Sequence, residues 1–243
     1  MARVDELLAA ALCALPPKPL DGSSQADKKR YSEQVSQVAA EAFAEELRRR
    51  GMRETTPDPT SPLCGAERRM AGGIGAKKVD VTWATPESGL LLALSVKTIN
   101  FRDKTTGNFQ KNLTNRRGDL LIEAVTLHRR FPYAVLGGFF FLDRGAALDG
   151  TDRRRSTFQN ANHRLRIFTG RTDPAGRDEQ YERMLLVLLD ADARPPVFEA
   201  FTVDREPRPM PLAAAFDELV ALVAERNPDF YEERDGALGV SGA

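Results

Sequence analysis

The 243-residue chain has little of what marks several protein classes. Its 2 cysteines, Cys13 and Cys64, are too few for a disulfide framework and lack the spacing of a metal site. Its 2 histidines, His128 and His163, fall in no catalytic-triad or paired-ligand pattern. No apolar run approaches the roughly 20 residues that a transmembrane helix needs. These absences argue against a disulfide-stapled secreted domain, a zinc module and a membrane-spanning protein.

The N-terminal segment resembles a signal peptide only in part. Residues 7–15 are apolar and follow Arg3, but Asp5 and Glu6 stand where a signal peptide needs positive charge. No clean small-x-small cleavage site follows. The segment is therefore predicted to be a short amphipathic helix that ends at Pro16 and Pro17, and the protein is expected to be cytoplasmic.

Charge is balanced over the whole chain but is unevenly distributed along it. The formal net charge is zero, yet residues 97–171 contain 15 Lys and Arg against 6 Asp and Glu. Residues 172–243 contain 7 against 16. A basic middle in a neutral chain favours one surface that faces phosphate groups, with a solvated mixture of charges as the alternative.

The apolar periodicity predicts an α/β fold, a mixed β-sheet flanked by helices on both faces. Residues 55–75 and 100–114 are predicted to be loops. We expect one domain over residues 1–243, with a core at 27–142 and a C-terminal α/β extension at 143–243. The predicted helices cover residues 27–50, 115–130, 156–169 and 211–226, and the predicted strands cover 79–83, 90–99, 133–142, 184–190 and 197–203.

Two charged residues stand inside apolar strand patterns. Asp80 lies between Val79 and Val81, and Lys97 ends the apolar run that begins at Leu90. A buried charge is costly unless it is paired or lines a cleft, so the bland alternative is a salt bridge at a sheet edge. Side chains two residues apart share one face of a strand, which places Ser95 with Lys97 and turns Val96 to the other side. Phosphodiester hydrolysis needs divalent metals held by carboxylates, often with a lysine that orients or activates water. An Asp on one strand and a polar-x-Lys pair on its neighbour can point these groups the same way.

Asp80, a turn and then Ser95-Val96-Lys97, with a helix before and a helix after, resemble the PD-(D/E)xK nuclease superfamily. The resemblance covers roughly residues 27–142 and rests on a short motif together with the order of the elements around it. It implies a restriction-endonuclease-like core, Mg2+ as cofactor and DNA as substrate. In that reading Asp80 binds metal and Lys97 positions or activates water.

Position 95 departs from the family pattern, because Ser95 stands where the second acid is usual. A hydroxyl cannot replace the charge of a carboxylate on a divalent cation. The resemblance is therefore to the Ser-x-Lys variant, in which the missing carboxylate is relocated to the following helix. Glu123 is the matching candidate, at a spacing from Lys97 longer than usual, and Asp119 is the reserve. Ser95 is then expected to support the site.

A further carboxylate is expected on the helix before the hairpin. Glu41, ten residues before Gly51, matches the position at which many superfamily members carry a metal-binding Glu. Glu45 and Glu46 lie on the same helix. Helix glutamates are common, so an ordinary surface role is the alternative for each of these.

The glycine-rich stretch 72–75 does not match a phosphate-binding loop. Ala76 precedes Lys77 where that motif needs glycine, and Lys78 follows where it needs Ser or Thr. A dinucleotide fingerprint fails as well, because no third glycine occurs in the pattern and a strand follows. Residues 72–75 are predicted to be a flexible approach to the first strand, with Lys77 and Lys78 as candidate phosphate contacts.

Three further segments carry the residue types that bind DNA. Arg116 and Arg117 begin a predicted helix whose N-terminus favours anions. The segment that begins at Arg153 has residue types that read bases, since arginine suits guanine and asparagine suits adenine, and the loop 100–115 has similar residue types. A solvated loop or helix face is the alternative for each segment. The remaining candidates for DNA contact are Arg153, Arg154, Arg155, Asn160 and Arg164.

The sequence thus predicts a Mg2+-dependent endonuclease acting on double-stranded DNA, most simply a type II restriction enzyme. An enzyme that reads a sequence and cuts both strands usually works as a symmetric dimer, so a homodimer is expected. Two alternatives stay open. One is a repair, recombination or other defence nuclease of the same fold, and the other is a non-cutting DNA-binding module that has lost the acid at position 95.

Overall fold

The computed structural model describes residues 3–61 and 68–241, and the intervening segment that contains Cys64 lies outside them. Five α-helices and nine β-strands are assigned in these two ranges. The helices are α1 (Arg3–Cys13), α2 (Gln25–Arg49), α3 (Leu113–His128), α4 (Thr157–Leu165) and α5 (Leu212–Arg226). The strands are β1 (Arg68–Gly72), β2 (Gly75–Val79), β3 (Val81–Thr85), β4 (Gly89–Ile99), β5 (Val135–Asp143), β6 (Arg183–Asp190), β7 (Val197–Thr202), β8 (Tyr231–Arg234) and β9 (Ala237–Val240).

The central sheet is mixed and contains five strands in the order β3-β4-β5-β6-β7. β4, β5 and β6 are parallel neighbours, while β3 and β7 run antiparallel at the two edges. The parallel strands are nearly continuous apolar runs because helices cover the sheet on both sides. The predicted α/β class with a mixed, helix-flanked sheet is confirmed. β6 and β7 come from the segment expected as an extension, yet β6 pairs directly with the core strand β5, and β7 continues the same sheet beside β6.

Alternate residues of each strand feed two separate hydrophobic cores. Along β4, Leu92, Leu94 and Val96 join the core formed with α1, α2 and α5. Ala93 and Ile99 join the second core, formed with α3 and α4. Ser95 and Lys97 have the same parity as Ala93 and Ile99, so their side chains lie on the α3 side of the sheet.

The predicted strand over 79–83 is wrong in one respect that matters for the site. β2 ends at Val79 and β3 starts at Val81, so Asp80 lies at a bend between two strands rather than inside one. The antiparallel hairpin with β4 is otherwise confirmed, with Val81 opposite Leu94 and Thr85 opposite Gly89. The bend separates the central sheet from a second hairpin, β1–β2, that the loop prediction for 55–75 missed.

The β1–β2 hairpin packs its turn tightly against α3. The Gly73 N–H donates to the Thr126 carbonyl at 2.8 Å. A Cβ on Gly72 would lie 2.2 Å from Thr126 Cγ2, and one on Gly73 would lie 2.5 Å from Arg129 Cβ. The glycines are therefore required by this close approach between backbone and helix. The expectation of a flexible approach at 72–75 is replaced by a docked turn.

A buried ion cluster joins β5, α3 and α5 on the side of the fold away from Asp80. The Glu182 carboxylate is fully buried and lies 2.7 Å from Arg226 Nη1, 3.4 Å from Arg171 Nη1 and 3.5 Å from His128 Nε2. It also accepts the Leu136 N–H at 2.6 Å. Burial alone would raise the pKa of Glu182, but the neighbouring cations and hydrogen bonds outweigh burial and lower it. His128 thus has a structural place at the end of α3.

Across residues 3–61 and 68–241, none of the helices has the length and apolar character that crossing a membrane would require.

Candidate active site at the end of β4

Asp80 occupies a place that the strand ladder leaves open. β3 begins at Val81, so β4 extends beyond its antiparallel partner after Leu94. The Val96 N–H would otherwise lack a partner on that side, and it donates to Asp80 Oδ2 at 2.6 Å. This backbone contact fixes the Asp80 carboxylate beside the parallel strands, near their carboxyl ends. Open α/β sheets commonly place ligands at that edge.

Lys97 lies between two carboxylates that come from different elements. Its Nζ is 3.1 Å from Asp80 Oδ2 and 3.5 Å from Glu123 Oε2. The side chains of Asp80 and Lys97 are 17% and 13% exposed, and that of Glu123 is 2% exposed. The three groups are therefore largely buried, with Asp80 and Lys97 more exposed than Glu123.

Ser95 contacts the third charged group directly. Its hydroxyl donates to Glu123 Oε1 and lies 3.3 Å from the Tyr181 hydroxyl. Tyr181 in turn donates to the Leu120 carbonyl on α3 at 3.1 Å. The structure thus brings Ser95 and Glu123 into direct contact.

The buried setting shifts the pKa values of these groups. Burial acts to lower the pKa of Lys97, but the carboxylates of Glu123 and Asp80 outweigh burial and raise it, so the amine stays charged. Burial raises the pKa of Glu123 against the opposing attraction of Lys97. Burial and the nearby Glu123 charge raise the pKa of Tyr181 well above its ordinary value, so its hydroxyl keeps its proton.

The site lies on the floor of a cleft of about 1310 Å³. One wall is the N-terminal half of α2, and the other is formed by the loop after β4 and the start of α3. Positive side chains outnumber negative ones along the lining of the cleft. This charge suits an anionic ligand that extends past the two acidic side chains on the floor to the basic walls. The basic lining residues are Lys28, Lys29, Lys77, Lys78, Lys97, Arg102, Lys104, Lys111 and Arg116.

The other candidate carboxylates separate into two groups. Glu41 lines the cleft, half-buried, and accepts the Gln37 amide at 2.9 Å. Asp119 also lines the cleft and pairs with Arg116 at 3.6 Å. Glu45 is engaged with Arg48 and Arg49, and Glu46 is buried in an ion pair with Arg50 at 2.7 Å. Glu41 and Asp119 therefore remain near the site, whereas Glu45 and Glu46 are tied to the arginines at the end of α2.

The predicted DNA-binding residues fall on two surfaces. Lys77, Lys78 and Arg116 line the cleft, while Arg117 stacks on Phe168 with its guanidinium 5.9 Å from the ring centre. The others lie around a shallower depression of about 540 Å³ or on α4 beside it. Three residues of this second set already donate hydrogen bonds within the protein: Arg154 to the Asp149 carbonyl, Asn160 to the Arg155 carbonyl at 3.4 Å and Arg164 to Thr114 at 3.2 Å. Arg153 and Arg155 are exposed.

The Arg155 segment nevertheless adjoins the main cleft. Gln110 Nε2 lies 3.5 Å from the Arg155 carbonyl, and the next residue, Lys111, lines the cleft. The two basic surfaces are therefore continuous around this rim rather than on opposite sides of the molecule.

The donor set fits a magnesium ion of the kind that completes its shell with water and substrate. Mg2+ is usually held by one or two carboxylates together with phosphate oxygens, rather than by an all-protein cage. Asp80 and Glu123 supply two carboxylates, each with an oxygen within 3.5 Å of the Lys97 amine. Among the described residues, no group of three or more His, Cys, Asp and Glu side chains is arranged as a metal cage.

Comparisons with known proteins give no match: no family model fits the chain, and no curated protein and no solved structure is significantly similar to it.

Proposed function

We propose that this protein is a Mg2+-dependent endonuclease that hydrolyses phosphodiester bonds in double-stranded DNA. Its motif resembles the Ser-x-Lys variant of the PD-(D/E)xK superfamily, and the simplest member of that class is a type II restriction enzyme. The single observation that carries the proposal is the convergence of Asp80 and Glu123 on Lys97 at the floor of a basic-walled cleft.

The three side chains have separable roles. Asp80 and Glu123 would hold the metal, with Glu41 as the next carboxylate along the cleft wall. A divalent cation at this place supplies charge stabilisation for the phosphate and a more acidic bound water. Lys97 remains charged and donates hydrogen bonds, so it orients a water or a phosphate oxygen that enters from the cleft. Ser95 holds Glu123 in place.

The cleft walls would bind the DNA backbone. Phosphate contacts give affinity and fix the register, whereas base-edge contacts give specificity. In this proposal Lys77, Lys78 and Arg116, which line the cleft, take the first role. The exposed Arg153 and Arg155 would contact the duplex farther along. Cutting both strands would require a second active site, which a homodimer supplies.

A non-cutting DNA-binding module is the second candidate, and one observation favours it. Ser95 and Lys97 already satisfy both oxygens of the Glu123 carboxylate, so the site is internally neutralised to a large extent. A chain that had lost metal binding would be stable in this arrangement.

The experiment that separates the candidates is cleavage of plasmid and genomic DNA with Mg2+ or with EDTA. Wild type is compared with Asp80→Ala, Lys97→Ala and Glu123→Ala, each checked for DNA binding by gel shift. Discrete metal-dependent fragments that all three variants lose support a restriction enzyme, and smears support a less specific nuclease of the same fold. Binding without cleavage under every condition rejects the catalytic proposal in favour of the binding module.

A further inference from the structure

Tyr181 connects three elements beneath the candidate active site. It lies just before β6 and is 1% exposed. Its hydroxyl donates to the Leu120 carbonyl at 3.1 Å and approaches Ser95 Oγ at 3.3 Å. A fully buried tyrosine hydroxyl needs such partners, and here both of them border Glu123.

A glycine lies beside both Ser95 and Tyr181. Gly138 on β5 is the parallel partner of Ser95 on β4. A Cβ at Gly138 would lie 3.2 Å from Met184 and 3.5 Å from the Tyr181 ring. A side chain here would therefore press on Met184, while its contact with the Tyr181 ring would be an ordinary one.

The two oxygens of Glu123 have different partners. Oε1 accepts the Ser95 hydroxyl, and Oε2 faces the Lys97 amine at 3.5 Å. Asp80 Oδ2 faces the same amine at 3.1 Å. Oε2 is therefore the Glu123 oxygen on the side where the two carboxylates converge.

The number of hydroxyl hydrogens sets the donor and the acceptor in each hydrogen bond that joins Tyr181, Ser95 and Glu123. Ser95 has one hydroxyl hydrogen, and it goes to Glu123, so toward Tyr181 the serine oxygen can only accept. Tyr181 is the donor within reach, and its one hydrogen can face the Leu120 carbonyl at 3.1 Å or turn toward Ser95 Oγ at 3.3 Å. Donation from Tyr181 to Ser95 strengthens donation from Ser95 to Glu123, because consecutive hydrogen bonds polarise one another.

We infer that Tyr181 is a positioning residue. Acting through Ser95, it fixes the rotation of the Glu123 carboxylate so that Oε2 faces the cation position. This inference rests on the proposed function, in which Glu123 binds the metal. It assigns Ser95 a definite task, that of linking Tyr181 to the relocated acid, and it explains why a hydroxyl rather than an apolar side chain occupies position 95.

The test is a cation-binding titration of the full-length protein without DNA. Free Mn2+ is followed by electron paramagnetic resonance for wild type, Tyr181→Phe, Ser95→Ala and the double variant. Partners that orient a ligand typically cost about 10- to 100-fold in metal affinity when removed, so Ser95→Ala is expected to weaken Mn2+ binding by about tenfold or more. Tyr181→Phe, one step farther away, is expected to weaken it by about fivefold.

The double variant distinguishes positioning from a general structural effect. If Tyr181 acts through Ser95, the double variant binds Mn2+ as weakly as Ser95→Ala alone, because the link is already broken. Tyr31→Phe is the matched control, since Tyr31 is also buried but packs on Phe101. It should bind Mn2+ like the wild type.

The failures of the two proposals look different. A wild type that neither binds Mn2+ nor cuts DNA rejects the nuclease proposal and this inference with it. A wild type that binds Mn2+ while Tyr181→Phe binds equally well overturns the inference alone, and so does an additive loss in the double variant. If Tyr181→Phe folds poorly, Ser95→Ala decides alone, since unchanged Mn2+ affinity in that variant refutes a positioning link through Ser95.

Discussion

Removal of the Lys97 charge should leave the Asp80 and Glu123 carboxylates to repel each other, because the ammonium group now neutralises them. Lys97→Met keeps most of the aliphatic stem and deletes the cation between Asp80 and Glu123. At an effective dielectric of about 20, separations of 3.1 and 3.5 Å correspond to about 5 kcal/mol of attraction each. Desolvation offsets much of this attraction, and removing one partner of a buried pair usually costs about 3–5 kcal/mol. Because Asp80 is partly exposed and Glu123 can take up a proton, we expect the lower end, about 3 kcal/mol in EDTA.

The assay is urea unfolding at neutral pH, in EDTA and in Mg2+. Mg2+ should restore a larger share of stability to Lys97→Met than it adds to the wild type, because the divalent cation replaces the missing counter-charge. Lys29→Met is the control, since Lys29 is 77% exposed and pairs with Glu33 at 3.7 Å on the surface of α2. It should change the free energy of unfolding by less than about 0.5 kcal/mol. Equal stability of Lys97→Met and wild type in EDTA, or equal gains from Mg2+, would refute the charge-balance reasoning.

Three further outcomes test other parts of the structure. Gly72→Ala should destabilise the fold by about 1–3 kcal/mol, because its Cβ would meet Thr126 at 2.2 Å, whereas Gly118→Ala, with open space around it, should stabilise α3 by about 0.5–1 kcal/mol, both measured by chemical denaturation. Burial acts to raise the pKa of Glu182, but hydrogen bonds and neighbouring cations outweigh burial and lower the pKa in the folded protein. The ionised Glu182 therefore stabilises the fold above its unfolded pKa, and this stabilisation is lost as pH falls through the acid range. Glu182→Gln should flatten the unfolding curve against pH below about 5, and an unchanged slope would contradict this. Arg116→Ala should weaken DNA binding on all sequences and reduce the salt dependence by about one phosphate contact, in a fluorescence titration at several salt concentrations; a loss confined to one sequence would contradict a phosphate role.

The strong periodic elements could be predicted from sequence because one physical signal dominates each of them. Apolar runs bounded by turn residues mark β4, β5 and β6, and α3 carries a clear apolar stripe. The β1–β2 hairpin gave no such signal, since Arg68–Gly72 and Gly75–Val79 lack an alternating apolar face and owe their place to contact with α3. β8 and β9 were missed because each has only four residues, too few to show an alternating pattern.

The candidate site likewise contains residues that a local sequence pattern identifies and one that only contacts distant in sequence identify. Asp80 and Lys97 stand out because each is a charged residue that interrupts an apolar sequence pattern. Glu123 follows from the helix that must pack on that strand, and its burial follows from its place beside the apolar stripe. Tyr181 could not be identified in this way, because it lies 86 residues from Ser95 and follows an irregular polar stretch. Its role becomes visible only when β6 lies beside β5.

The docking of the β1–β2 hairpin on α3 has a consequence for how such a protein can change over evolutionary time. Asp80 follows directly from β2, and Glu123 lies one turn before Thr126, which receives the Gly73 hydrogen bond. The spacing of the two acids is thus set within one subassembly on one face of the sheet. Helices α1, α2 and α5 pack on the other face and can be repacked or replaced without altering that spacing. Because α2 also forms a cleft wall, substitutions there could alter which ligand enters while the chemistry on the floor is inherited unchanged.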